Sequence, residues 1–273
     1  MFRVQTRTIG LGSALVILEL IYHSTVRSIR RGHRNALMGL LNNILQTVIF
    51  VGVFYVMFTI LGMRGNAIRG DFIVYLMSGI FLFMTNTKTM GAVVSSEGPT
   101  SAMMLHAPMN TAIAIGSSAL AALYTQILSM VVVLGVYHMA FEPVHIEDPV
   151  GAMGLVILAW LNGVSVGMVV LAIKPWWPSF AAIAQTLYSR ANMIASGKMF
   201  VANTLSGTIL AMFDWNPLFH IIDQARGYAF INYNPRNSSL EYPIYVTLAL
   251  IMIGLVGEFH ARKNASVSWN AGR

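Results

Sequence analysis

Three long stretches without a single Asp, Glu, Lys or Arg, Leu37–Leu61, Thr111–Met139 and Val150–Ile173, constrain this chain most. A helix rises about 1.5 Å per residue and a bilayer core is about 30 Å thick, so roughly 20 apolar residues cross it. Composition points the same way. The 273 residues are 56% hydrophobic and 10% charged, where a soluble domain carries about 25% charged residues. The expected fold class is an all-α integral membrane protein, one helical domain spanning 1–273.

Three weaker apolar stretches complete the pattern. Residues 72–94 contain Lys88, residues 180–212 contain Arg190 and Lys198, and residues 244–260 contain Glu258. Counted together, they predict six membrane segments at 37–61, 72–94, 111–139, 150–173, 180–212 and 244–260. Ahead of them, over 9–34, Leu15, Leu18, Tyr22, Val26 and Ile29 recur at helical spacing. Glu19, His23, Arg27, Arg30, Arg31 and Arg34 supply the polar side. This predicts an amphipathic interface helix lying on the membrane.

Basic residues before the first segment, Lys174 after the fourth and Arg262–Lys263 after the sixth would place both termini in the cytoplasm. Arg64, Arg69, Arg226 and Arg236 then fall outside. Residues 95–110, "SSEGPTSAMMLHAPMN", become a cytoplasmic segment, and 213–243 a periplasmic region. The first is longer than most helix connections, about 2–8 residues. Its Met103, Met104, Leu105 and His106, bounded by Pro99 and Pro108, predict a short exposed helix suited to docking a partner.

Signatures of covalent chemistry are scarce. Cysteine is absent, the seven histidines are scattered, and no G-x-x-x-x-G-K-[ST] loop occurs, since Gly197–Lys198 is followed by Met199. If ATP drives this protein, another chain binds it. His220 and Asp223 stand three apart and share a helix face, which permits an acid–base pair. A solvated polar face, with Asp223 reaching Arg226, is the simpler reading.

Charge inside a membrane segment carries more information. Each such charge costs at least about 2.5–3.5 kcal/mol on insertion scales and so faces a water-filled path or a partner. Arg190, Ile194 and Lys198 fall at i, i+4 and i+8 of one predicted helix. They form either a cationic stripe along a pathway for an anion, or a shorter span with Arg190 paired and Lys198 snorkelling outward. Asn42, Asn43 and Gln46 sit in the first half of the first segment, where amides bond between helices or line a pathway.

In "DWNPLFHIIDQARGYAF" Asn216 is a predicted N-cap, Pro217 fits the first helical position, and Gly227 suits the end. Leu218, Ile221, Ile222, Ala225 and Ala229 make an apolar face, opposite His220, Asp223 and Gln224. An external amphipathic helix in the interface is expected.

Trp215, Asn216, Pro217, Leu218, His220, Asp223 and Arg226 resemble the W-N-P-L-x-H-x-x-E-x-x-R element that precedes the last span of ABC-2 exporter membrane subunits. Asp223 replaces the usual glutamate. The closest likeness is to permeases for capsular polysaccharide, O-antigen and teichoic acid. "GAVVSSEGPTSAMMLHAPMN" resembles the family's coupling-helix region, with Glu97, Gly98 and Pro108 at matching places. "LELIYHSTVRSIRRGHRNALMGLL" resembles its interface helix. The chain departs where the family often has a tryptophan and then a proline, since Asn42, Asn43 and Thr47 stand there.

The resemblance implies a homodimer paired with two ATP-binding subunits in a bacterial inner membrane, exporting a lipid-linked, anionic polysaccharide. No cofactor is expected on this chain, with ATP and magnesium in the partner. Periplasmic and outer-membrane capsule-export proteins and membrane lipids are further expected partners; nucleic acid is not. Alternatives remain open: a permease for another amphipathic cargo such as a lipid or drug, a membrane-embedded transferase, and a channel or secondary transporter.

Overall fold

A computed structural model describes residues 11–31, 36–62, 68, 71–96 and 111–264. Its organising element is α3 (Phe72–Val94). Asp71 starts it, accepting from the Ile73 amide at 2.8 Å, while its other carboxylate oxygen accepts the Tyr137 hydroxyl. At the far end Lys174 donates to the Val94 carbonyl at 2.8 Å, supplying positive charge where the helix leaves carbonyls unpaired.

Around it stand α1 (Leu11–Arg31), α2 (Ala36–Ile60), α4 (Thr111–Ala140), α5 (Pro149–Ile173), α6 (Pro178–Ala195), α7 (Gly207–Phe213), α8 (Pro217–Ala229) and α9 (Glu241–Asn264). No strand occurs among the described residues. Helix α3 packs on α5, α4, α2 and α8, α5 also holds α9, and α1 lies along α4. Small residues set the closest approaches. A Cβ on Gly163 of α5 would stand 2.4 Å from the Asn86 carbonyl oxygen of α3, and one on Gly254 of α9 would stand 2.7 Å from Met168 Cβ. Helices without a hydrophobic drive to associate in lipid gain contact this way.

Among the described residues, four helices are long and apolar enough to cross a membrane: Met38–Ile60, Thr111–Ala140, Pro149–Ile173 and Glu241–Asn264. The expected count of six is therefore not reached on length and composition. Helix α3 falls outside that set although its 23 residues would extend about 34 Å. The run Thr85, Asn86, Thr87, Lys88, Thr89 makes its second half polar.

The expected fifth segment, 180–212, is not one helix. Helix α6 ends at Ala195, Gly197 takes φ +75°, a 3-10 turn follows at Ala202–Thr204, and α7 begins at Gly207. The left-handed φ suits glycine, and a Cβ there would meet Phe219 Cδ2 at 2.7 Å. The apolar composition continues through the break, so hydropathy alone reads past it.

Candidate functional site: the junction of α6 and α8

Helix α8 starts as its sequence predicts. The Asn216 Oδ1 accepts from the Leu218 amide at 3.0 Å, and Pro217 occupies the first turn. Its end differs: the helix runs through Gly227 to Ala229. Gly227 is instead a point of close approach, where a Cβ would meet Pro235 Cδ at 2.7 Å.

The setting differs more. Rather than a surface helix with a solvated face, α8 is buried on both faces, with Leu218, Phe219, His220, Ile221, Ile222, Asp223, Ala225 and Arg226 all inaccessible. Its apolar side packs into the main core. Each polar side chain meets a specific partner, as burial requires.

Asn216 and Arg226 gather the broken end of α6. The Asn216 Nδ2 donates to the Ala195 carbonyl at 2.8 Å and to Asn192 Oδ1 at 2.9 Å. Arg226 Nη1 donates to the carbonyls of Gly197 (2.9 Å) and Phe200 (2.7 Å), and Nη2 to that of Lys198 (2.8 Å). Its guanidinium also lies 4.3 Å from the Tyr75 ring centroid. The carbonyls released where α6 stops therefore find donors on α8.

Asp223 and His220 serve the segment after α8. Asp223 accepts from the Tyr233 hydroxyl, from Ser238 Oγ at 2.7 Å and from the Ala202 amide at 3.4 Å. Burial, and then the Asp223 carboxylate, push the Tyr233 phenol well above its usual range. His220 Nδ1 accepts from the Ser239 amide at 3.0 Å, which leaves Nε2 to donate to the Asp214 carbonyl at 2.7 Å. The His220–Asp223 pair is not formed, nor is an Asp223–Arg226 ion pair among the described residues. Both acid–base groups are committed to structural partners, Asp223 chiefly to the Tyr233 and Ser238 hydroxyls and His220 to backbone, so the transferase reading gains no geometry. Trp215 is exposed, and its backbone carbonyl accepts from the Tyr242 hydroxyl at 2.6 Å.

Arg190 and Lys198 do not form a stripe. Arg190 is exposed on α6, whereas Lys198 lies beyond the helix end and is 1% exposed. Its ammonium sits 3.6 Å from the Phe83 ring centroid and 5.2 Å from those of Phe50 and Phe54, and among the described residues it has no hydrogen-bond partner. It neither snorkels nor lines an exposed path; three aromatic faces hold it. Gly79 makes room, since a Cβ there would meet Lys198 Cα at 2.8 Å.

The amides of α2 divide. Asn43 is buried, donating to Ser129 Oγ at 2.8 Å and accepting from Gln126 Nε2 at 3.2 Å, so it joins α2 to α4. Asn42 and Gln46 are exposed and line a cleft with Lys88, whose ammonium donates to Gln46. Glu19 is exposed 3.8 Å from His23, and Arg27 is exposed too. Glu97, Gly98, Pro99, Met103, Met104, Leu105, His106, Pro108 and Arg34 lie outside the described residues, as do the side chains of Arg30 and Arg31.

One cluster escaped the sequence reading. Asn86 donates to Asn162 Oδ1 at 2.9 Å, Asn162 donates to Thr247 Oγ1 at 3.0 Å, and the Tyr188 hydroxyl donates to Asn86 Oδ1 at 3.2 Å. These bonds tie α3, α5, α9 and α6 together. The sequence signal is Asn162–Gly163, an amide beside a glycine within the otherwise apolar α5, together with Asn86 in the polar run of α3.

The model of a family described as ABC-2 type transporter matches residues 19–230. No curated protein matches the chain. This chain belongs to the ABC-2 type transporter family, multi-pass membrane proteins that form the membrane component of ABC transporters and generally pair with ATP-binding subunits.

Proposed function

We propose that this chain is the permease subunit of an exporter that moves a lipid-linked, anionic polysaccharide across a bacterial inner membrane. Two copies would form the pathway, and two ATP-binding subunits, holding ATP and magnesium, would drive it through residues 95–110. In this reading α2, α3, α4, α5, α6 and α9 are the six crossings. The polar half of α3 turns to its neighbours, and Arg27, Lys174, Arg262 and Lys263 face the cytoplasm.

The observation that carries the reading is Arg190. It is exposed on the same stripe of α6 as Ile183, Leu187 and Ile194, all more than 60% exposed. A guanidinium on such a face is costly against lipid and favourable against a watery path that an anion uses. The buried α8, with Trp215 at its start, would hold α6 in place at the outer mouth of that path. The likeness of Trp215–Arg226 to polysaccharide permeases supports the choice of cargo.

The test is export in cells expressing the chain with its ATP-binding subunit. Arg190→Gln should reduce surface glycan several-fold while leaving the complex with that subunit intact. Unchanged glycan display would sink the pathway role of Arg190, and loss of lipid or drug efflux with normal glycan would assign a different cargo.

A further inference from the structure

Nearer the start of α2 and the end of α3 than Lys198, which lies against their middle turns, a cleft of 1210 Å³ lies between α1, the first half of α2, the last part of α3 and the first half of α4. Its charge has one sign. Arg27 and Lys88 line it, and among the described residues no aspartate or glutamate does. Other polar groups there, including Ser24, Asn42 and Ser118, are neutral.

Lys88 is the group that needs explaining. It lies six residues before the end of α3, which puts its Cα about 9 Å inside the helix, and it is half-buried. Its ammonium donates to the neutral Gln46 side chain. A cation at that depth is stabilised far more by an anion than by an amide. Around these groups the wall is apolar, formed in part by Leu40, Leu123 and Ile127. The cleft's volume exceeds the roughly 300–1,000 Å³ of small-molecule pockets. A cationic floor, an apolar wall and a bordering amphipathic helix fit a lipid better than a free ion.

We infer that this cleft binds one phospholipid with a net anionic headgroup, its phosphate drawn to Lys88 and Arg27 and its acyl chains lying against Leu40, Leu123 and Ile127. The site is independent of the exported cargo and stands whether or not that cargo is a polysaccharide.

Native mass spectrometry of the purified full-length chain, titrated with phosphatidylglycerol or phosphatidylcholine, tests this. Wild type should retain one phosphatidylglycerol per chain, with phosphatidylcholine binding about tenfold weaker. Lys88→Gln and Arg27→Gln should each weaken phosphatidylglycerol roughly five- to tenfold, about what one charge near a phosphate supplies. Lys88→Arg should restore binding, and Arg236→Gln, at the other end of the molecule, should not change it. Ala122→Phe fills the cleft with both cations in place and should exclude the lipid, so the site remains testable if Lys88→Gln fails to fold. Equal binding of the two lipids, or full phosphatidylglycerol binding by the Lys88→Gln/Arg27→Gln double variant or by Ala122→Phe, overturns the assignment. So does displacement of the lipid by soluble glycerol phosphate at equal concentration.

Discussion

Asn216 donates its side-chain amide to the Ala195 carbonyl at 2.8 Å, so the residue that begins α8 also ends α6. Because its Oδ1 simultaneously caps Leu218, the two roles use different atoms and can be separated. Asparagine is the cap that allows both; aspartate caps equally well but donates nothing.

Asn216→Asp should therefore destabilise the protein although it preserves the cap. It would set a carboxylate against the Ala195 carbonyl and Asn192 Oδ1, with a loss of about 1–3 kcal/mol. Thermal unfolding of purified protein reads this as a lowered Tm. A Tm equal to wild type would mean that capping α8 is the whole role of Asn216.

Arg226 serves three carbonyls with one planar fork. Lysine keeps the charge and loses the geometry. Arg226→Lys should cost at least about 2 kcal/mol, since buried carbonyls lose charged donors they cannot replace with water. Limited proteolysis between Gly197 and Leu205 should then become faster than in wild type. An unchanged cleavage rate there would count against Arg226 as the clamp of this segment.

The legibility of these features in the sequence follows their range. Asp71 and Asp148 sit one residue before α3 and α5 and accept from the first amides of each, so helix starts are local and readable. The cap of α8 is readable for the same reason. Its burial is not, because His220 and Asp223 become compatible with the interior only through Ser239, Tyr233 and Ser238, 10 to 19 residues away. The break after Ala195 is hidden likewise. Gly197 marks it only weakly, and the donors that make it tolerable belong to Asn216 and Arg226.

Two glycines give a matched comparison. In α3 a Cβ on Gly79 would press on Lys198 Cα at 2.8 Å, backbone that cannot swing aside, whereas Gly116 of α4 has nothing within 4 Å. Gly79→Ala should destabilise by about 1–3 kcal/mol from overpacking. Gly116→Ala should stabilise by up to about 1 kcal/mol through helix propensity. The sign of each Tm shift in parallel melts checks the pair; the same sign for both would mean that the α3–Lys198 contact yields.

Lys198 allows stability and function to be set against each other. The residue is 1% exposed, its ammonium has no hydrogen-bond partner among the described residues, and the faces of Phe83, Phe50 and Phe54 hold it. Cation–π contact returns about 2 kcal/mol or more when desolvated, while burying an ammonium without hydrogen bonds costs several. Lys198→Met retains a long flexible side chain, favours aromatic contact through sulfur and removes the desolvation cost. The variant should melt at the same temperature as wild type or higher. If the ammonium leaves its cage to meet an anionic cargo when the pathway opens, the same variant should export several-fold less of the proposed glycan cargo while its complex with the ATP-binding subunit persists. Normal export at normal or raised Tm would reduce Lys198 to a packing residue, and a clear drop in Tm would show that the aromatic faces outweigh the lost hydration.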